Sequence, residues 1–122
     1  KQLFFAFILL LSVPYITHAN YDPHNCYSWA KYRVPTIDPM WYMMQNAKMV
    51  IPNKGDLAMF YYEKSGLPHV AVVEYVFHNG GVLISEANMY HLYEDGVGTR
   101  YIPPQYHHLV GFYEPRQTHQ AQ

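Results

Sequence analysis

The chain has 122 residues, a formal charge of −1 at pH 7 and 14% charged side chains, a balance that excludes a broad basic nucleic-acid surface and gives little pull toward anionic polymers. Its length fits one small domain, and no repeat, coiled-coil heptad or low-complexity block interrupts it. Aromatics make up 17% of the chain and thirteen residues are tyrosine, so large flat side chains are expected in the core and along a groove.

The first stretch predicts a secretory signal peptide over residues 1–19. Lys1 and Gln2 precede an apolar run from Leu3 to Val13, then Pro14, then Thr17-His18-Ala19, with small residues three and one positions before a cut at Asn20. The run is shorter than the roughly 20 residues that cross a bilayer, so no stable membrane span is expected after cleavage. The expected location is exported: periplasm, cell envelope or extracellular. Residues 20–115 then read as the folded domain and 116–122 as a flexible tail.

After a loop over 20–24, Asn25 is placed to cap a helix over Cys26–Arg33, with Cys26, Trp29, Ala30 and Arg33 on one face and Pro35 as the stop. Asp38-Pro39 predicts a second helix, Asp as cap and Pro in the first turn, running from Met40 to about Met49. Pro52-Asn53-Lys54-Gly55 marks a turn, with Asp56 bonding turn backbone. The pattern then changes to strands over Asp56–Tyr62, His69–Val76 and Val82–Asn88, and near Thr99–Ile102 and Leu109–Tyr113. Helices followed by antiparallel strands predict an α+β fold.

The chemistry starts from one cysteine, Cys26. Exported chains normally pair their cysteines, so a lone thiol followed by His69 in PHVAVV and Glu86 in ISEAN reads as a nucleophile. At the first turn of a helix, backbone N–H groups and the positive dipole end favour thiolate over thiol, and the same N–H groups suit an oxyanion. Asn25 adds either a side-chain oxyanion donor or only the helix cap. If strands 69–76 and 81–88 pair through a four-residue loop, position 69 lies opposite 88 and diagonal to 86, all on one face. Glu86 or Asn88 then accepts the imidazole Nδ1–H and leaves Nε2 toward the thiol, Glu86 being favoured because a carboxylate also stabilises the imidazolium. A two-residue Asn79-Gly80 turn would keep the face but carry Glu86 too far along the strand.

The remaining conspicuous residues have plainer readings. Eight histidines invite a metal, but His24-Asn25-Cys26 and His107-His108 have neither CxxC nor HxxxH spacing, so no metal and no cofactor is expected. Trp29, Tyr32, Trp41 and Tyr42 are expected to pack in the core or against helices, and Met40, Met43, Met44 and Met49 to fill space along the second helix. Tyr21 is placed to border a cleft near Cys26.

The segments NCYSWAKYR, IPNKGDLAMF, PHVAVVEYV, ISEAN and LVGFYEP, taken in order, resemble the CHAP domain. This is the cysteine- and histidine-dependent amidohydrolase/peptidase module of the papain-like superfamily in bacterial and phage cell-wall hydrolases. The resemblance spans Asn25 to Pro115 and implies a papain-like arrangement of N-terminal helices packed on an antiparallel sheet. It also implies Cys26 as nucleophile, His69 as general base, Glu86 as orienting acid and Asn88 as a further polar member. The implied substrate is a peptidoglycan stem peptide or cross-bridge, cut at the N-acetylmuramoyl-L-alanine bond or at a peptide bond through a thioester. Asn25 stands where many members carry glutamine. No separate wall-binding module is read, so targeting would fall to the groove, a protein partner or confinement in the envelope. The alternative is a catalytically inactive CHAP-like binding or structural module of an envelope or phage assembly.

Overall fold

The computed structural model describes residues 21–89, 93 and 96–116; the expected signal segment and the chain after 116 lie outside the described residues. Two helices, α1 (Cys26–Arg33) and α2 (Met40–Asn46), precede five strands: β1 (Leu57–Tyr62), β2 (Leu67–Val76), β3 (Val82–Ala87), β4 (Val97–Ile102) and β5 (Leu109–Tyr113).

Asn25 starts α1 as a side-chain cap, extended in backbone and accepting the Ser28 N–H through Oδ1 at 3.0 Å. The Val34 N–H closes on Ala30, and Pro35 prevents another turn. The second helix departs from expectation at both ends. Pro39 occupies the cap position without a side-chain bond. The Asp38 carboxylate instead accepts from the Tyr113 hydroxyl and pairs with Arg116 Nη2 at 2.6 Å. A residue expected to be a local cap is thus a long-range tie, and Arg116, expected to begin the loose tail, is anchored by it. The helix ends at Asn46 rather than near Met49 because Ala47 turns extended and Lys48 exchanges both backbone bonds with Phe112, at 2.9 and 2.8 Å. Two tertiary hydrogen bonds outweigh the weak preference of methionine for further helix.

The strands form one antiparallel sheet in the order β4-β3-β2-β1-β5. The β2–β3 hairpin sets Val76 opposite Val82, so its loop holds five residues, 77–81, instead of four. An irregularity between Val73 and Tyr75 absorbs the extra residue, and the pairing returns to Val72 opposite Ser85. Beyond the bulge this is the register a four-residue loop would have produced, and it sets the face on which His69 and Glu86 lie.

Both sheet faces are buried. The helices cover one through Ala30, Met43, Leu57, Met59, Val70, Val72 and Tyr113. The other carries Ala58, Phe60, Ala71, Val73, Val82, Ile84, Ile102, Leu109 and Phe112, a core that includes residues of both edge strands. Side chains alternate along a strand, so His69 continues the row of Ala71 and Val73, and Glu86 the row of Val82 and Ile84. A polar chain fastens α1 to the sheet: Trp29 Nε1–H donates to Ser85 Oγ at 3.0 Å, the Ser85 hydroxyl donates to Glu74 at 2.6 Å, and Arg33 pairs with Glu74. Trp29 is thus half-buried packing, as expected, but Trp41 is 64% exposed and Met49 56% exposed, against expectation. Once α2 stops at Asn46, Met49 no longer lies on a helix face. Asp56 accepts the Asn53 N–H at 2.8 Å, the expected turn bond.

Candidate active site

Three expected residues converge where the mouth of α1 meets the ends of β2 and β3. Cys26 is a free thiol and the first residue of α1. His69 is buried on β2, and Glu86 is fully buried on β3. The imidazole is bonded through Nε2 to Glu86 Oε1 at 2.9 Å and lies close enough to the Cys26 sulfur for each group to shift the titration of the other.

This ring orientation reverses the expected one, which assigned Nδ1 to the carboxylate and Nε2 to the thiol. The diagonal separation of positions across two strands is wide, and the far ring nitrogen spans it. Glu86 is ionised and can only accept, so Nε2 carries a proton toward it and Nδ1 is the ring nitrogen left to exchange a proton with Cys26.

Burial alone would push the Cys26 thiol up, but the hydrogen bond and charge of His69 outweigh it, helped by the Val70 and Tyr27 backbone amides, and the thiol titrates below its ordinary value. Burial likewise would lower His69, yet its bonds to Cys26 and Glu86 prevail and raise it. The two shifts together favour a thiolate–imidazolium pair. Burial opposes ionisation of Glu86 too, but hydrogen bonds from His69, Arg100 and Tyr93 bring it down to about 2.

Glu86 accepts from Arg100 Nε (2.8 Å) and the Tyr93 hydroxyl (2.6 Å) at Oε2, and from Arg100 Nη2 (3.0 Å) at Oε1. Arg100 also reaches the Tyr62 and Tyr106 hydroxyls at 3.1 and 3.2 Å. Among the described residues, no buried side-chain nitrogen or oxygen lacks a partner. Arg100, Tyr93 and Tyr62 were missed by sequence reasoning. Periodicity held a signal for Arg100: it lies between Gly98 and Ile102 on the inward face of β4, and an inward cation demands a buried carboxylate.

The other expected members sit differently. Asn25 commits Oδ1 to the helix cap. Asn88 is exposed just past β3, with a left-handed backbone at φ 68°, and contributes its N–H to Gly96 and Pro23 at 2.8 and 3.3 Å. It therefore holds the loop leading to Cys26, while Glu86 holds the imidazole. Tyr21 packs edge-on against Trp29 at 4.8 Å. Among the described residues no three His, Cys, Asp or Glu side chains converge as metal ligands would.

A thiol at a helix mouth, polarised by a sheet histidine that a buried carboxylate orients, is the constellation of nucleophilic cysteine chemistry. The CHAP domain family matches residues 15–88, more than half of the chain, and the chain belongs to that family. CHAP domains are generally cysteine- and histidine-dependent amidohydrolases associated with cell-wall cleavage. The match spans Cys26, His69 and Glu86 and ends before Tyr93 and Arg100. No curated protein and no solved structure matches the chain.

Proposed function

We propose that this protein is an exported peptidoglycan hydrolase that cleaves an amide bond through a thioester on Cys26, within a papain-like arrangement of helix-borne nucleophile and sheet-borne base. The observation that carries the reading is a single imidazole bonded to the buried Glu86 carboxylate and set beside the thiol at the first residue of α1, whose titration it lowers. In the reaction, His69 Nδ1 takes the thiol proton and the sulfur attacks the carbonyl carbon of the substrate amide. The oxyanion meets backbone N–H groups at the mouth of α1. The tetrahedral intermediate collapses as His69 protonates the departing amine, leaving an acyl-thioester. His69 then takes a proton from water, the hydroxide adds to the thioester, and the thiolate leaves with the imidazolium restored. Glu86 keeps the ring in one tautomer and balances its positive charge throughout.

Export is supported by the apolar segment before residue 20 and by the wall-directed chemistry of the family. No helix among the described residues is long and apolar enough to cross a membrane. Digestion of purified sacculi, with mass spectrometry of the released muropeptides, tests the reading. Wild-type protein is expected to release fragments, and Cys26→Ala or iodoacetamide treatment to abolish release. A new free L-alanine terminus identifies an amidase, and another new amine an endopeptidase. Undiminished lysis by Cys26→Ala refutes the proposal, and binding of sacculi without cleavage by the wild type points to the inactive-module alternative.

A further inference from the structure

Four elements supply the groups around His69. Cys26 comes from α1, Tyr62 from β1, Glu86 from β3 and Arg100 from β4; Tyr93 precedes β4, and from the connection to β5 His108 packs on Tyr62 while Tyr106 packs on Phe60 and His108. Arg100 makes four hydrogen bonds within this group, as many as Glu86. It grips Glu86 side-on, Nε to Oε2 and Nη2 to Oε1, while its remaining donors reach two tyrosine hydroxyls. Its guanidinium also lies 5.9 Å from the Phe60 ring centre and 5.7 Å from that of Tyr106. A carboxylate held this way cannot swing without breaking both arms of the fork, a constraint lysine cannot impose.

We propose that Arg100 is a positioning residue of this site: it fixes the Glu86 carboxylate by both oxygens so that one lone pair of Oε1 meets His69 Nε2, and its half-buried charge limits how tightly His69 holds a proton. The proposal rests on the reading of Cys26, His69 and Glu86 as the reacting line and adds to it a residue outside the matched family segment. Two cations, the His69 imidazolium and Arg100, share one carboxylate. Without Arg100 the full charge of Glu86 would act on His69, and the imidazolium would survive to higher pH. A histidine that never releases its proton cannot serve as base for the water in deacylation. Arg100 thus keeps Glu86 an orienter while preventing it from fixing His69 as a permanent cation.

The test uses the full chain and two variants, Arg100→Gln and Arg100→Lys. The His69 titration is followed by NMR of the imidazole carbon-bound protons, and Cys26 thiolate formation by the pH profile of iodoacetamide alkylation. In Arg100→Gln the His69 midpoint is expected to rise by about one pH unit or more, the scale of removing a neighbouring charge. Arg100→Lys, which keeps the charge but not the fork, is expected to leave that midpoint near wild type while lowering kcat about tenfold to a hundredfold with KM little changed. A folded Arg100→Gln with an unmoved or lowered midpoint overturns the proposal, since a purely structural arginine would change thermal stability alone. Should Arg100→Gln not fold, the wild type still decides: its Arg100 Nε–H resonance is expected to shift with the midpoint of His69, and a flat signal overturns the proposal. The titrations need no substrate, so inertness toward sacculi would remove the hydrolase reading without touching them.

Discussion

Replacing Glu86 by glutamine removes a charge while nearly conserving shape, and its cost can be worked from the contacts. The carboxylate accepts four hydrogen bonds, from His69, Tyr93 and two arms of Arg100, in a position with no solvent exposure. An amide offers one accepting oxygen, and its NH2 would face donors already present. The depression of Glu86 from 4.5 to about 2 corresponds to about 3 kcal/mol at neutral pH, at about 1.4 kcal/mol per unit. Breaking a buried pair by deleting one partner costs roughly 3–5 kcal/mol, which agrees. Urea unfolding of Glu86→Gln at pH 7 is therefore expected to show a loss of about 3 kcal/mol. The alkylation profile of Cys26 should also move upward in pH, because an imidazolium deprived of its carboxylate stabilises the thiolate less well. A folded variant within about 0.5 kcal/mol of wild type, the usual range for inert surface changes, would refute the reasoning.

Other consequences follow from the same contacts. The folded-state value of Glu86 is depressed, so its stabilisation is complete above the unfolded value near 4.5 and is lost as pH falls toward about 2; acid unfolding of the wild type should steepen in that window and that of Glu86→Gln should not. His69 has the opposite sign. Its raised value makes its contribution complete below the ordinary 6.5 and lost as pH rises through the folded value, so thermal midpoints should decline on that alkaline side in wild type but not in His69→Ala. A Cβ at Gly98 would collide with the Tyr93 ring, so Gly98→Ala should displace the hydroxyl from Glu86 and cost about 1–3 kcal/mol, readable by urea unfolding. Asn25→Ser keeps a competent cap and is expected to retain stability and turnover. A kcat loss of about 10²-fold or more would instead assign the Asn25 amide to the oxyanion.

Much of this architecture was legible because the signals were local. Asn25 as a cap and Pro35 as a stop marked α1, and the alternation of PHVAVV and VLISEA marked two strands whose hairpin offset predicted that positions 69 and 86 share a face. That offset survived for a reason the residues alone did not disclose: the loop is one residue longer than expected, and the bulge at Glu74 removes the difference. The bulge serves a contact distant in sequence, since Glu74 accepts from Ser85 and pairs with Arg33 to seat α1. The illegible parts share this character. Asp38 looked like a cap because Asp-Pro is a strong local pattern, yet Tyr113 and Arg116, more than seventy residues away, claim its carboxylate. The end of α2 was set by the distant bridge to Phe112.

Arg100 shows why such residues matter to chemistry as well as to folding. A buried thiolate–imidazolium pair benefits from a carboxylate, but an uncompensated carboxylate in a dry site would both resist burial and overcommit the histidine. The guanidinium answers both difficulties with one fork: it satisfies the oxygens that His69 and Tyr93 leave open and brings the local charge toward zero. With thiolate, imidazolium, carboxylate and guanidinium in line, opposite charges alternate from α1 across β2 and β3 to β4. A proton moving between Cys26 and His69 then changes the dipole of the row but not its net charge, which is the condition under which a buried base can cycle at low cost.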